Sequence, residues 1–204
     1  MVGGLPEPKQ NQDKCSRYLP AFGGLSNVDK VKYYSGIGSR QTPPDVLKQM
    51  QEFAFQAAKK GYVLRSGAAP GADSAFEQGC DDVQGKKEIF LPWRNFNHNP
   101  STLYPPTQEA IDLSVNVHPA VQFLKHPVKL LIARNMHQIL GSDLNTPVDF
   151  VICWTHDGCE SHETYGKKTG GTGSAIALAS QNHIPIFNIQ NPSRYIYAVE
   201  CLLQ

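Results

Sequence analysis

The sequence predicts a doubly wound α/β fold, a parallel sheet of about five strands with helices on both faces. Three observations carry this. Strand-length apolar segments alternate with helix-length segments along most of the 204 residues. The strands are continuous rather than alternating apolar runs, "VDFVICW" at 148–154 being the clearest, as burial on both faces demands. Glycine turns follow three of the strands, where the chain must leave a parallel strand and enter a helix.

In order along the chain, residues 1 to about 31 are rich in Pro, Gly, Gln, Asn and Lys and lack periodicity, so an N-terminal arm, weakly ordered or draped on the domain, is expected there. Tyr18, Leu19, Phe22 and Leu25 are the arm residues that would pack. The domain proper is expected over 32–204. "VKYYSGIG" supplies the first strand. "TPPDVLKQMQEFAFQAAKKG" supplies a helix that opens on prolines, repeats apolar residues at Val46, Leu47, Met50, Phe53, Ala54 and Ala57, and closes on glycine. The unit recurs as strand "YVLRSG", turn "AAPGADS" and short helix "SAFEQGC", followed by a third strand, "KEIFLPW". A Pro- and Asn-rich loop at 94–106 precedes helices near 106–117 and 127–141, the second carrying Leu130, Leu131, Ile132, Ile139 and Leu140. After the fourth strand comes a polar loop at 155–169. The stretch "TGGTGSAIALASQNHIPIF" then reads as glycine turn, small-residue helix and fifth strand.

Bulk properties narrow the function. Lys plus Arg number 19 and Asp plus Glu 18, a net charge of +1, so no global field attracts nucleic acid or an anionic membrane, and any anion must be bound locally. The five cysteines include no CxxC pair, which disfavours structural zinc and suits reduced thiols better than a disulfide framework. The N-terminus lacks a basic start followed by an apolar run, and no stretch approaches ~18 apolar residues. A cytoplasmic protein with no membrane partner, no metal and no cofactor is expected.

In open parallel sheets, ligands bind at the carboxyl ends of the strands where strand order reverses. The turns "SGIGSR" (35–40), "SGAAPGAD" (66–73) and "TGGTGS" (169–174) are all expected on that rim. There, backbone N–H groups at helix starts can point at phosphate oxygens. A single such turn reads more simply as a cap; three on one rim point to an anion-binding crevice. Its expected donors are Gly36, Gly38, Ser39, Ser66, Gly67, Gly71, Gly170, Gly171, Thr172, Gly173 and Ser174. Arg40 reads equally as a bidentate phosphate clamp or a surface arginine. Arg134 and Asn135 interrupt the apolar run "KLLIARNMHQIL", and Trp154 ends a strand where it either stacks a base or packs in the core. Asp73 and Glu77 lie one helical turn apart and are the carboxylates available for acid–base chemistry, with capping and solvation as their simpler roles. The 155–169 loop is rich in ligand-type residues without a metal spacing, and its length fits a mobile lid or partner-binding loop.

Taken together, "YYSGIGSR", "LRSGAAPGADSAFEQG", "FLPW", "ARNMHQILG", "DFVICW" and "TGGTGSAIALASQNHIPIFNI" resemble the SLOG superfamily of Rossmann-like domains. Within it they look closest to the DprA-like (DNA processing protein A) proteins of tailed bacteriophages. The resemblance spans roughly residues 33–190. It implies a five-stranded Rossmann-like sheet, a nucleotide or nucleic-acid phosphate site built by the glycine turns and the Arg134–Asn135 pair, a homo-oligomer, and, for a phage protein, the bacterial host cytoplasm.

Activity stays open between three classes. Phosphoribohydrolases of this superfamily carry PGGxGTxxE; here Thr169 replaces the proline, Ser174 the threonine, and Ala177 the glutamate, so the phosphate cradle survives without its usual catalytic group. The leading reading is therefore a protein that binds, and sequesters or senses, the phosphate of a nucleotide or nucleotide-derived molecule. An N-glycosidase using Glu77 or Asp73 is the enzymatic alternative. A DprA-like single-stranded DNA binder is the third, although its basic groove with interleaved aromatics is not visible in the scattered Lys and Arg.

Overall fold

From Tyr33 onward, apolar strands and amphipathic helices take turns in a computed structural model that describes residues 31–203. The arm expected at the N-terminus lies outside the described residues. The strands are β1 (Tyr33–Gly38), β2 (Val63–Ser66), β3 (Lys87–Ile89), β4 (Phe150–Trp154) and β5 (Ile186–Asn188). The helices are α1 (Pro44–Lys59), α2 (Ala72–Asp81), α3 (Gln108–Val117), α4 (His126–Leu140), α5 (Gly173–Gln181) and α6 (Pro192–Leu203), with short 3-10 turns at Phe96–His98, Pro119–Phe123 and Gly170–Thr172.

The five strands form one parallel sheet in the order β3-β2-β1-β4-β5. The chain therefore runs outward from β1 to β3, returns to lay β4 on the other side of β1, and continues to β5. Strand order reverses between β1 and β4, whose ends are in register at Gly38 and Trp154. That is the switch point at which a doubly wound sheet opens a crevice.

The two faces of the sheet differ in chemistry because side chains alternate along each strand. Tyr34 on β1 and Phe150 on β4 point to one face, stacked at 5.6 Å, and meet Phe53 of α1, Phe76 of α2 and Tyr62 in a buried aromatic cluster. Gly36 shares that face, and a Cβ there would fall 2.5 Å from the Phe76 ring, so glycine at 36 is required for helix–sheet packing. Ile37, Val151 and Cys153 point to the other face, into an aliphatic core with Ala133, Met136 and Ile139 of α4 and Ala175, Ile176 and Ala179 of α5. The fully buried β4 matches the near-continuous apolar run at 148–154.

The local signals explain most element ends. Prolines open α1 and α4, Thr107 caps α3 by accepting the Ala110 N–H at 3.2 Å, and Gly141 at φ +80° ends α4. β3 is shorter than "KEIFLPW" suggests, because after the Phe90 N–H has donated to Ser66 at the end of β2 the chain turns to Leu103, which bridges Phe90 and accepts the Leu91 N–H. Helix α6 is an addition to the sequence reading; its signal was Tyr195, Ala198 and Leu202, three buried residues on one helical face. Cys80, Cys153 and Cys159 are buried free thiols, in line with the expected reduced state. Among the described residues no helix is long and apolar enough to cross a membrane.

Candidate anion site at the strand switch point

A crevice of about 770 Å³ opens where β1 and β4 end, within the size range of small-molecule sites. Three chain segments and one helix face build it. The turn after β1 contributes Gly38, Ser39, Arg40 and Gln41, the turn after β2 contributes Ala69 and Asp73, and the loop before α5 contributes Lys167 to Thr172. Helix α4 presents Val128, Leu131, Ile132, Asn135 and Gln138, spaced i, i+3, i+4, i+7 and i+10, with Arg134 beside them. One wall is thus aliphatic. The rest carries four cationic side chains, Arg40, Arg134, Lys167 and Lys168, against one carboxylate, Asp73, with His156 at the end of β4.

The turns are tied to one another rather than merely adjacent. The Ser39 N–H donates to the Trp154 carbonyl at 3.2 Å, joining the ends of β1 and β4. The Ser39 carbonyl accepts the Thr42 hydroxyl at 2.7 Å and the Ala72 N–H at 3.4 Å, joining the first turn to α2. Gly71 sits at φ +88°, where a Cβ would also press on the Ser39 carbonyl and Arg40 Cα, so this second turn needs glycine for both conformation and clearance.

Arg134 and Asn135, neighbours on α4, each secure a different turn. Arg134 Nη1 donates to Asp73 Oδ2 at 3.1 Å, and both side chains are buried. Burial pushes the Asp73 carboxyl above its ordinary value, against the opposing pull of Arg134, and burial likewise lowers the Arg134 guanidinium, with nearby Arg40 adding to that lowering. Arg134 Nε is buried and has no hydrogen-bond partner. A desolvated cationic donor left unpaired costs on the order of 1–3 kcal/mol. Asn135 Nδ2 donates to the Gly171 carbonyl and to Ser174 Oγ, both at 3.0 Å, and so holds the "TGGTGS" turn against α4.

That turn offers open backbone. The first N–H groups of its 3-10 segment, Gly170 to Thr172, lead into α5 and have no acceptor within the helix. A Cβ at Gly170 or Gly171 would meet nothing within 4 Å. Gly173 is different, because a Cβ there would overlap the Tyr165 ring.

The structure brings Gly38, Ser39, Arg40, Asp73, Arg134, Asn135, Gly170, Gly171 and Thr172 to the crevice. Others expected there lie behind it. Gly36 packs under Phe76, Ser66 Oγ donates to the Gly36 carbonyl at 2.7 Å, Gly67 makes room for the Arg134 guanidinium, and Gly71, Gly173 and Ser174 shape the turns. Trp154 is buried and donates from Nε1 to Gln190 at 2.9 Å, a core role rather than a base platform. Glu77 is outside the crevice: it accepts from Lys87 Nζ at 2.7 Å and from Asn99, so the two candidate carboxylates do not act together. The aliphatic wall was not singled out from sequence, although the α4 spacing held its signal, and the Lys167–Lys168 pair, which reads from sequence as a solvated basic patch, lines the crevice.

The 155–169 loop is pinned at its base. Asn188 Nδ2 donates to Thr155 Oγ1 and the Cys159 carbonyl, Glu160 accepts the Asn188 N–H and pairs with Arg194, and Thr169 Oγ1 donates to Asp157 at 2.6 Å. These bonds tie the loop to β5 and to the start of the "TGGTGS" turn.

No family model matches the chain, and no curated protein does. Among solved structures, DNA processing protein A from Helicobacter pylori is similar, with a TM-score of 0.48 and 21% identity over 79% of this chain. The match spans 66% of that protein's length, and the likeness is one of fold.

Proposed function

We propose that the crevice binds the phosphate of a nucleotide or nucleotide-derived molecule and holds it without turnover. The observation that carries this reading is a crevice that gathers Arg40, Arg134, Lys167 and Lys168 against the single carboxylate Asp73, beside the open turn at 170–172. The aliphatic face of α4 gives a nucleoside a dry surface to lie on. Holding is favoured over cleavage because the crevice's carboxylate, Asp73, is bonded to Arg134, and Ala177 stands where a catalytic glutamate would be. On this reading the chain is a SLOG-type, DprA-like phage protein that sequesters or senses its ligand in the host cytoplasm as a homo-oligomer. The Arg40 and Lys167–Lys168 cations would equally take the backbone of single-stranded DNA, the ligand of the Helicobacter pylori protein, and this is the second reading.

Calorimetric titration with mononucleotides, dinucleotides and ADP-ribose separates them. Saturable binding is expected, weakened about 10- to 100-fold in Arg40→Ala, the loss of one charge-assisted hydrogen bond. No saturable binding to any of them, with Arg40→Ala indistinguishable from the parent, would discard the nucleotide reading. An oligonucleotide gel shift that fades steeply with salt would install the DNA reading in its place.

A further inference from the structure

The two turns that frame the crevice meet through one side chain that neither of them contains. Gln138 of α4 is 1% exposed. With its amide oriented to satisfy its neighbours, the oxygen accepts the Gly67 N–H at 3.0 Å and Arg134 Nη1 at 3.1 Å, and the nitrogen donates to Asn135 Oδ1 at 2.9 Å. Gly67 belongs to the second turn; Asn135 grips the third through the Gly171 carbonyl and Ser174. Arg134 in turn holds Asp73 at the start of α2. A single amide therefore joins the second turn, the buried guanidinium and the "TGGTGS" turn into one continuous network.

The chemistry requires an amide at this position. One end must accept from two donors, a backbone N–H and a cation, while the other must donate to a carbonyl oxygen. A carboxylate satisfies the first end and repels Asn135 Oδ1 at the second, and it also neutralises Arg134. An aliphatic residue satisfies neither end. Asn135 has both amide groups engaged, Nδ2 twice and Oδ1 once, so its role is to transmit position to the turn.

We infer that Gln138 is the positioning residue of the anion site: it sets the Arg134 guanidinium and, through Asn135, the Gly170–Thr172 backbone for the same phosphate. The inference rests on the phosphate-binding reading. Its test is the pH dependence of nucleotide binding by Gln138→Glu and Gln138→Met, each measured as a ratio to the parent so that titration of the ligand cancels. Binding of ADP-ribose by Gln138→Glu is expected to fall roughly tenfold at pH 8, the size typical of losing an outer partner of a ligand-holding group. It should recover toward the parent as pH falls through the value of the new carboxyl, whose protonated form both donates to Asn135 and leaves Arg134 charged. Gln138→Met should be weakened by a similar factor with no recovery in acid, and it supplies the answer if the charged variant does not fold at neutral pH. A parent that binds while Gln138→Met binds equally well overturns the positioning role alone. Weakening of Gln138→Glu that persists unchanged once the new carboxyl is protonated overturns it too. A parent that binds nothing overturns the phosphate reading and this inference together.

Discussion

Gly67→Ala places a methyl group where the structure has a guanidinium. A Cβ at this position would overlap Arg134 Nη1 and Cζ and stand 2.8 Å from the Gln138 side-chain amide. Restoring ordinary van der Waals contact requires the guanidinium to withdraw by roughly 2 Å. The 3.1 Å bond to Asp73 does not survive such a shift, and the bond to Gln138 goes with it. Asp73 would remain buried without its cation. Breaking a buried ion pair on one side costs about 3–5 kcal/mol, and the lower end applies because Arg134 can swing into the crevice. For a domain of this size, about 3 kcal/mol lowers Tm by ~6–12 °C. The sign of the pH dependence follows from Asp73, whose carboxyl is already raised by burial and would rise further once Arg134 leaves. A group whose folded-state pKa is raised costs stability as pH rises through that value, so the deficit should be largest near neutrality and shrink in acid. Thermal melts of variant and parent between pH 8 and pH 5 check both parts. A Gly67→Ala protein melting within about 2 °C of the parent at neutral pH would refute the claim that Arg134 is locked by this geometry.

Gly171→Ala is the converse case: its Cβ meets nothing within 4 Å, so Tm should stay within about 2 °C of the parent while nucleotide affinity falls, because the methyl group enters the crevice. Glu77→Gln should leave binding unchanged and lower stability by no more than ~1 kcal/mol, since Lys87 retains Asp81 and the pair is partly exposed; a titration and a melt decide it. His137 is neutral by construction, with Nδ1 donating to the Gly141 carbonyl at 2.9 Å and Nε2 accepting the Thr107 N–H at 3.2 Å. Burial holds its pKa below the ordinary imidazole value, against the pull of the Gly141 carbonyl and Glu109. Its contribution is therefore present above about pH 6.5 and lost as pH falls toward the folded-state value. Urea midpoints at pH 7.5 and 5.5 should show this loss, and His137→Asn should show a smaller one.

Strand and helix identity were legible because they depend on local period and punctuation. The apolar run at 148–154 could only be a doubly buried strand, the prolines at 43 and 44 and the glycine at 61 bracketed α1, and the three glycine turns marked where strands give way to helices. The placement of Arg134 and Asn135 as an interruption in an apolar helix already signalled polar groups facing something other than solvent. What each glycine does was not legible. Gly36 and Gly67 exclude side chains that arrive from residues 40 and 67 positions later in the chain, Phe76 and Arg134, while Gly171 excludes nothing. The same residue type thus serves packing, clearance and open backbone, and only the approach of distant atoms separates these roles.

The amino-acid sequence by itself determined the layers, the parallel sheet and the rim on which the glycine turns gather, since hydrophobic period and turn chemistry act over a few residues. The tertiary structure alone decided which polar groups meet: Asp73 with Arg134, Asn135 with Gly171, Glu77 with Lys87 rather than with the crevice. Hydrogen bonds are satisfied within about 3 Å of space, not along the chain, and it is the strand order β2-β1-β4 that brings those partners together.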